Sequence, residues 1–562
     1  MKKALFLFLF ALITFSCARV GSPVGGSKDT IPPVVVGSNI DSSRINVPRD
    51  IKELRIDFDE YINLKDINKQ LIISPPLKKM TKILPSGIAN KYLLIKWEDT
   101  LQENTTYNFN FGNAIVDNNE ANPLQYYNFA FSTGEKIDEL YISGELQSMF
   151  SAAEKKTEEA NLVVGLYQEK DSMDYRQKPY YITKADPDGY FELNYLSPGN
   201  YRLLAFEDSN SNSVYDAGTE KVGFLKDKIT VEQSVSGLKV NLFPSRKKSK
   251  YLEMKEVPGG ILMNFEGNPE AVKVLSINEK LQAYKVTQSP KSDSIYIWFD
   301  AKKTDVGIAA SENLKFSYDD GIKKDTVSVF YRYNTKNEMT IANAKSNLIA
   351  PNEDFVITAN YFVDQIQPEK WTLVSDSIKQ DFTAEIHKNN PFKIVVKGDF
   401  KEGKNYSLTV PKESVSSFYD NIKKSYRFDF EINKTEKFGI LVLTLENAPE
   451  QNFWLQLLTE NGNVAYSLYG KEKLITFNSL LPAKYKLRIL VDENNNGIWD
   501  GSDFESGTFA EEIYLFNKTL EIRPLWELRE IWNLKGETLN STSESTEIKL
   551  PENLETEPSL PK

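Results

Sequence analysis

Short segments that alternate apolar and polar residues recur along most of this chain. Examples are LRIDF at 54–58, YNFNF at 107–111 and YNFAF at 127–131, with Gly, Pro, Asn and Asp clustered between such segments. Because successive side chains of a strand point to opposite faces, this pattern predicts short strands that are buried on one side. We therefore predict an all-β chain of tandem antiparallel β-sandwiches, with one short helix near 148–159.

Two internal repeats divide the chain into modules. Residues 101–131 share with 400–430 a Tyr-centred strand, an Asp-Asn turn and a second alternating strand; residues 199–208 share with 483–492 a Tyr-containing strand that ends in Asp. The predicted order is A1-B1-X-A2-B2. The expected segments are a signal peptide (1–16), a flexible tether (17–33), A1 (34–135), B1 (136–245), X of uncertain type (246–337), A2 (338–433), B2 (434–535) and a disordered acidic tail (536–562).

Cys17 is the single cysteine, and it follows a sequence typical of bacterial lipoprotein signals. Lys2 and Lys3 precede a run of apolar residues that is too short to span a bilayer but suits a signal peptide, and Ser16 supplies the small residue before the cysteine. We expect cleavage before Cys17 and its acylation, with palmitate as a typical chain. The alternative is an ordinary signal peptide followed by a stray cysteine.

Composition excludes several classes of function. A formal net charge of −11 argues against nucleic-acid binding, and no Gly-rich phosphate loop follows a strand, which argues against nucleotides. The single histidine, His387, lies in an alternating stretch and is expected to be an outward-facing strand residue. With one histidine and one cysteine, the common nucleophile–base pairs cannot be built. We predict no catalytic residues, and we interpret Asp57, Asp59 and Glu60 as a solvated strand face rather than a glycosidase pair.

The segment from Asp492 to Asp503 has the spacing of a calcium loop, in which oxygens at positions 1, 3, 5, 7, 9 and 12 converge. Gly497 permits the turn at position 6. The alternative is a plain Asn/Asp-rich turn. The predicted ligands are Asp492, Asn494, Asn496, Asp500 and Asp503 through their side chains and Ile498 through its carbonyl.

A second segment, beginning at Asp208, repeats this spacing less well. Ser213 replaces the glycine, and Thr219 occupies position 12. We expect weaker calcium binding here, or a plain turn. Its candidate ligands are Asp208, Asn210, Asn212, Val214 and Asp216.

Two further motifs allow a functional and a structural interpretation. Trp526 and Trp532 could form a sugar-stacking platform, but packing at the end of B2 is favoured. The basic run at 246–250 is interpreted as a solvated linker between B1 and X rather than a site for an anionic partner.

Several motifs resemble known families. KDTIPP (28–33), FDEY (58–61), TTY (105–107) and FSTG (131–134) resemble the bacterial Ig-like domain of S-layer proteins. DGYF (188–191) and LSPGNY (196–201) resemble the prealbumin-like, carboxypeptidase regulatory-like domain, a binding or spacer module without a peptidase site. Together with Cys17 and GSPVGG (21–26), the chain is similar to Ig-like domain lipoproteins of Bacteroidota.

That resemblance implies Ig-like and prealbumin-like sandwiches, an outer-membrane location, and a part in envelope assembly beside the β-barrel assembly machine. We expect a non-enzymatic scaffold, a rod of successive sandwiches, bound to the membrane through its lipid and to envelope proteins through its surfaces. Whether it faces the periplasm or the cell surface stays open. The alternatives are a glycan-binding or adhesion lipoprotein and a hydrolase with cryptic carboxylates.

Overall fold

A computed structural model describes residues 29–148, 161–169, 174–289, 292–334 and 338–535. These residues are almost entirely β-structure, which confirms the predicted fold class. Their α-helices are the single turns α1 (Ile67–Gln70) and α2 (Ala301–Thr304), and Pro368–Lys370 and Thr435–Lys437 form short 3-10 turns. Cys17, the tail from 536 and nearly all of the predicted helix near 148–159 lie outside the described residues. No helix within the described ranges is long and apolar enough to cross a membrane.

Module A1 is a sandwich of two sheets. Its strands are β1 (Val35–Ser38), β2 (Glu53–Leu64), β3 (Ile72–Ser74), β4 (Met80–Leu84), β5 (Asn90–Trp97), β6 (Thr106–Asn110), β7 (Ile115–Asp117) and β8 (Asn128–Ser132). One sheet has the order β1-β2-β5-β4 with β7 beside β2, and the other has the order β3-β6-β8. The predicted alternation holds, because Ile56 and Phe58 of β2 and Phe109 of β6 are buried between the sheets.

Module B1 is built around one long sheet path. Its strands are β9 (Leu140–Ser148), β10 (Leu162–Gln168), β11 (Tyr181–Lys184), β12 (Tyr190–Leu196), β13 (Gly199–Glu207), β14 (Lys221–Phe224), β15 (Ile229–Val231) and β16 (Val235–Pro244). The order is β11-β10-β13-β14-β16-β9-β12, with β15 beside β13 and with β16 parallel to β9.

The middle segment, X, also contains two sheets. Its strands are β17 (Lys250–Val257), β18 (Gly260–Glu266), β19 (Lys273–Ser276), β20 (Lys285–Gln288), β21 (Ser294–Trp298), β22 (Glu312–Asp319) and β23 (Lys324–Tyr331). They form the sheets β17-β18-β21-β20 and β19-β22-β23. Trp298, at the end of β21, is 1% exposed because it packs into the core of A2, with its ring 5.9 Å from that of Tyr361.

Module A2 follows the plan of A1 with additional short strands. Its strands are β24 (Ile341–Asn343), β25 (Leu348–Ile349), β26 (Phe355–Ala359), β27 (Gln365–Ile366), β28 (Thr372–Ser375), β29 (Ile378–Gln380), β30 (Phe382–Ile386), β31 (Lys393–Gly398), β32 (Asn405–Val410), β33 (Val415–Ser416) and β34 (Tyr426–Ile432). Its two main sheets are β24-β26-β31-β30 and β25-β34-β32-β28-β29.

Module B2 closes the described part of the chain. Its strands are β35 (Gly439–Glu446), β36 (Asn452–Leu458), β37 (Val464–Gly470), β38 (Leu474–Leu480), β39 (Ala483–Asp492), β40 (Ile513–Leu515), β41 (Leu520–Ile522) and β42 (Glu527–Asn533). Its sheets are β38-β35-β42 and β37-β36-β39-β40, with β41 beside β39 and β42 parallel to β35.

The internal repeats correspond to matching tertiary contacts. Tyr107 accepts a hydrogen bond from the backbone N–H of Gln102 at 2.9 Å, and Tyr406 accepts one from that of Lys401 at 2.7 Å. Tyr201 donates to the carbonyl of Ser197 at 2.8 Å, and Tyr485 donates to that of Leu481 at 2.9 Å. The repeated tyrosines therefore secure the same corner in each copy, in a manner the sequence repeat alone does not reveal.

Modules B1 and B2 pack against each other, although X and A2 separate them in sequence. Phe504 and the partly buried Phe509 of B2 join a cluster with Phe206 and Phe224 of B1. Phe243 of B1 packs in turn against a cluster on the outer face of B2. The expected rod of successive sandwiches did not include this contact between two modules that are distant in sequence.

Candidate functional site

The stronger candidate calcium loop begins at Asp492, the last residue of β39. Asp492 is fully buried, and its carboxylate caps the loop: Oδ1 accepts from the N–H of Asn496 at 2.8 Å, and Oδ2 accepts from that of Gly497 at 2.5 Å. The Tyr469 hydroxyl also donates to Oδ2, at 2.6 Å. Gly497 has φ +81°, so a residue free of Cβ strain occupies the tightest point of the turn.

Four of the predicted side chains come together in this loop. The side-chain amides of Asn494 and Asn496 each lie 2.7 Å from Oδ2 of Asp500. Asn496 Oδ1 accepts the N–H of Ile498, the predicted carbonyl ligand, at 2.8 Å. The carboxylate of Asp503 instead accepts the N–H of Glu505 at 3.1 Å, so it serves the following turn.

Glu511 is the residue that sequence reasoning missed. It is 7% exposed; its Oε1 accepts the N–H groups of Glu493 and Asn494 at 3.0 and 3.3 Å, and its Oε2 accepts that of Asp500 at 2.7 Å. Burial raises the pKa of Glu511 above its usual value, and the nearby charges of Asp500 and Asp492 raise it further, against the backbone donors that lower it. Glu511 lies beyond the twelve-residue window, so a search by spacing cannot find it.

The loop in B1 has the same design. Asp208 is 2% exposed and accepts the N–H groups of Asn212 and Ser213, each at 3.0 Å. The amides of Asn210 and Asn212 lie 2.6 and 3.2 Å from Oδ2 of Asp216. Val214, the predicted carbonyl ligand, donates its N–H to Asn212 Oδ1 at 2.6 Å.

Glu220 takes in B1 the place that Glu511 takes in B2. It is 2% exposed and accepts the N–H groups of Ser209 and Asp216 at 2.9 and 3.0 Å. Burial again raises its pKa. The position-6 residue, Ser213, has φ +61°, a conformation that disfavours a residue with a Cβ.

The donor set of each loop suits a hard cation, since it consists of carboxylate and amide oxygens. As placed, the amide nitrogens rather than the oxygens of Asn494 and Asn496 face Asp500. The Oδ1 atoms of Asn494 and Asn496 accept the backbone N–H groups of Asn496 and Ile498, at 2.9 and 2.8 Å. Among the described residues, no group of three or more His, Cys, Asp or Glu side chains is arranged to hold a metal.

The B2 loop also forms the junction with B1. Ser502 forms an isolated parallel β-bridge with Ser245, and the N–H of Arg246 donates to the carbonyl of Ser502 at 2.7 Å. The Arg246 guanidinium lies 3.5 Å from Asp500, and Lys248 pairs with Glu505. The basic run at 246–250 is therefore not merely a solvated linker, because two of its side chains form ion pairs with acidic residues of B2.

The two predicted tryptophans have different environments. Trp532 is 1% exposed and belongs to the B2 core, as the packing interpretation expected, whereas Trp526 is 63% exposed on a turn. A different aromatic pair borders the B2 loop: the rings of Trp454 and Tyr469 are 4.8 Å apart, and Trp454 donates to the carbonyl of Gly497 at 3.2 Å. Tyr469 is 42% exposed.

The candidate acids in A1 lie on β2. Asp57 pairs with Arg55 at 2.7 Å, and Asp59 accepts the N–H of Val34 at 2.9 Å. Glu60, partly exposed, has a pKa raised chiefly by burial. His387 is exposed, but it lies one residue beyond β30, in the turn that follows, rather than within the strand.

An open groove of about 660 Å³ on A2 is also lined by acids. Asp376 pairs there with Lys404 at 2.7 Å, and Asp429 pairs with Arg427 at 3.0 Å. Hydrogen bonds from Ser407 and Arg427 lower the pKa of Asp429. A general acid needs a raised pKa, so the lowered pKa of Asp429 does not suit that role.

Comparison with known proteins supports the sandwich assignment at the N-terminal module. Residues 29–133 match the bacterial Ig-like domain family. No curated protein matches the chain.

Several solved structures are similar over much of the chain. Domains 1–6 of surface layer protein SbsC show 10% identity over 89% of this chain and 68% of that one, with a TM-score of 0.14. The Bacillus anthracis TIE protein shows 13% identity over 94% and 78%, with a TM-score of 0.12. BcpA, the major pilin subunit of Bacillus cereus, shows 10% identity over 70% and 99%, with a TM-score of 0.14. TM-scores this low support no functional argument. The chain thus carries the pattern of a bacterial Ig-like domain at 29–133, within a series of tandem β-sandwiches.

Proposed function

We propose that this chain is a non-enzymatic, lipid-anchored scaffold of the outer membrane that holds envelope proteins in a fixed arrangement. The observation that carries the proposal is the packing of Phe504 against the B1 sheet, which joins two sandwiches distant in sequence. Apolar packing of this kind restricts relative motion of modules more than a flexible linker does. A rigid set of surfaces suits docking. The proposed partners are envelope proteins, among them the β-barrel assembly machine.

The anchor in this proposal is acylated Cys17. Its single occurrence and the preceding basic, apolar and small residues support it. Cells expressing the wild-type chain should incorporate a fatty-acid probe into it, and Cys17→Ser should abolish that labelling. Labelling that persists in Cys17→Ser would refute the anchor.

Partner capture tests the scaffold itself. Affinity purification from detergent-solubilised envelopes, followed by mass spectrometry, should recover defined envelope proteins with the wild-type chain. Deleting B2 is an unsuitable control, because it would uncover the apolar B1 face that Phe504 and Phe509 cover. Single substitutions of surface carboxylates avoid this problem. If Asp57→Asn or Glu60→Gln abolished the protein's function in cells while folding and partner recovery stayed normal, the non-enzymatic proposal would fail.

Calcium is part of the proposal as a structural ion. In B2 it would be held by Asp492, Asn494, Asn496, Asp500 and the carbonyl of Ile498, with Glu511 beside them. The three buried carboxylates of Asp492, Asp500 and Glu511 support this, since a cation would offset the cost of desolvating them. The bound ion would stiffen the loop that leads to Phe504.

A glycan-binding or adhesion lipoprotein is the second candidate. The observation that favours it is the Trp454–Tyr469 pair beside the B2 loop, because an exposed aromatic ring offers an apolar face on which a sugar can stack. Tyr469→Ala should then abolish retention on immobilised envelope glycans, with Tyr126→Ala as an exposed aromatic control. Equal retention of both variants would dismiss this candidate.

A further inference from the structure

One end of B2 exposes three large apolar side chains. Leu481, Leu525 and Trp526 are 55%, 71% and 63% exposed. Leu525 and Trp526 lie on the turn Arg523–Trp526, which follows β41, and Leu481 lies between β38 and β39. Gly439 is next to both segments. It pairs with Leu480 in the sheet, and a Cβ added to it would lie only 2.5 Å from the carbonyl oxygen of Arg523. We refer to Leu481, Leu525 and Trp526 as the B2 tip.

The turn at the B2 tip is held in a strained conformation. Trp526 donates its N–H to the carbonyl of Arg523 at 3.3 Å, and Leu525 has φ +60°, where a bulky residue is rarely found. Two further backbone hydrogen bonds, from Leu525 to Phe438 and from Ile440 to Trp526, fix the turn at 2.9 Å each. Glycine would fit this position without strain, so the leucine side chain is presented outward against a conformational cost.

Module B1 provides an internal comparison. The residue equivalent to Leu481 is Ser197, as the matching tyrosine hydrogen bonds show. Ser197 donates to Asp138 at 2.7 Å. The loop equivalent to the turn at 523–526 is Glu232-Gln233-Ser234, which is polar. The same fold therefore closes this end with polar residues in one copy and exposes apolar ones in the other.

We propose that the B2 tip inserts into the interfacial layer of a lipid bilayer. Three side chains are far too few for a stable protein interface, which needs about 800 Å² on each partner. Leu525 and Trp526 lie on an exposed turn, whose residues 523–526 include no carboxylate in a chain of net charge −11. The Arg523 guanidinium lies 5.1 Å from the Trp526 ring and also pairs with Glu521 at 3.0 Å. Tryptophan with a neighbouring cation is suited to the headgroup region, where the ring is buried and the charge stays hydrated. This inference does not depend on Cys17.

The test uses the full chain carrying Cys17→Ser, so that an introduced cysteine is the only thiol. Leu525→Cys is labelled with an environment-sensitive dye, and Gln233→Cys, in the equivalent B1 loop, is the matched control. On adding vesicles of phosphatidylethanolamine and phosphatidylglycerol, the dye at 525 should shift to the blue and the dye at 233 should not. Trp526→Ser should weaken vesicle partitioning by about ten-fold.

A second variant separates membrane binding from folding. Leu525→Gly relieves the backbone strain, so it should raise the melting temperature while it weakens partitioning. The proposal would be overturned if the dye emission at 525 did not shift, or if the emission at 233 shifted equally. It would also be overturned if the emission at 525 shifted without vesicles and the shift grew with protein concentration. The last of these results would assign the B2 tip to a second copy of the chain.

Discussion

Phe504 packs edge-on against Phe224, with the ring centroids 5.2 Å apart and the ring planes at 65°. Phe504 lies in the segment that follows Asp500, and Phe224 is the last residue of β14, on the outer face of the B1 sheet. Tyr215 and Tyr175 complete the B1 pocket around Phe504. The candidate calcium loop of B2 and the junction between B1 and B2 are therefore continuous in structure.

Replacing Phe504 by Ala should open this junction. Loss of a buried phenylalanine costs about 3 kcal/mol, and the effect should appear in the B1 sheet as well as in B2. Hydrogen exchange at Lys221–Phe224 should accelerate in Phe504→Ala. Tyr126→Ala, at an exposed position, should change stability by no more than about 0.5 kcal/mol. Unchanged exchange in Phe504→Ala would show that the junction does not protect β14.

Calcium should raise the melting temperature of B2 through its native loop, with an affinity on the order of 10⁻⁴–10⁻³ M. Asp500→Ala and Glu511→Gln should abolish the rise, whereas Asp503→Asn should keep it, because Asp503 serves the next turn. Differential scanning calorimetry with and without calcium measures the shift. If only Asp503→Asn abolished the calcium-dependent rise in melting temperature, Asp503 would be the ligand at position 12, which would contradict the role of Glu511. The B1 loop should respond only at higher calcium.

The contribution of Glu511 to the stability of B2 without calcium should fall as pH rises above about 4.5, the ordinary pKa of Glu511. The folded-state pKa of Glu511 is raised, so its contribution is fully present below the unfolded pKa and is lost as pH rises through the folded one. Unfolding in urea across this range, with Glu511→Gln as control, measures the slope. The slope should be smaller in Glu511→Gln, and calcium should reduce it in the wild type. Equal slopes in the two proteins would be inconsistent with a raised pKa.

Ser213→Gly should stabilise B1 by about 1 kcal/mol. Ser213 has φ +61°, and glycine adopts this region without a Cβ penalty. Ser209→Gly is the control, since Ser209 has no positive φ and gains nothing from glycine. Chemical denaturation monitored in B1 should separate the two. A destabilised Ser213→Gly would mean that the serine side chain contributes more than its backbone costs.

Tyr406→Phe should destabilise A2 by about 1 kcal/mol, because it leaves the partly buried N–H of Lys401 without its acceptor. Tyr107→Phe should have the same effect in A1 through Gln102. Urea denaturation of both variants tests whether the repeated corner is energetically equivalent. If only one of the two variants lost stability, the two corners would differ in solvation although they are alike in geometry.

The sequence predicted the strands because alternation is a local property of a strand with one buried face. Ile56, Phe58 and Phe109 are buried as their spacing requires. The repeats likewise predicted that the segments around Tyr201 and Tyr485 adopt the same structure. Within the candidate loop, short spacing was enough to bring Asp492, Asn494, Asn496 and Asp500 together, because a tight turn leaves few other arrangements.

Glu511, Phe504 and the basic run at 246–250 were assigned only by the tertiary structure. Each acts on a partner that is distant along the chain: Glu511 on the N–H groups of the loop, Phe504 on the B1 sheet, and Lys248 on Glu505. No local pattern marks such residues, since a solvated and a docked side chain can have the same neighbours in sequence. The sequence by itself determined strand faces and turn chemistry, which depend on nearby residues. The pairing of B1 with B2 was decided by the complementary shapes of surfaces that exist only after each sandwich has folded.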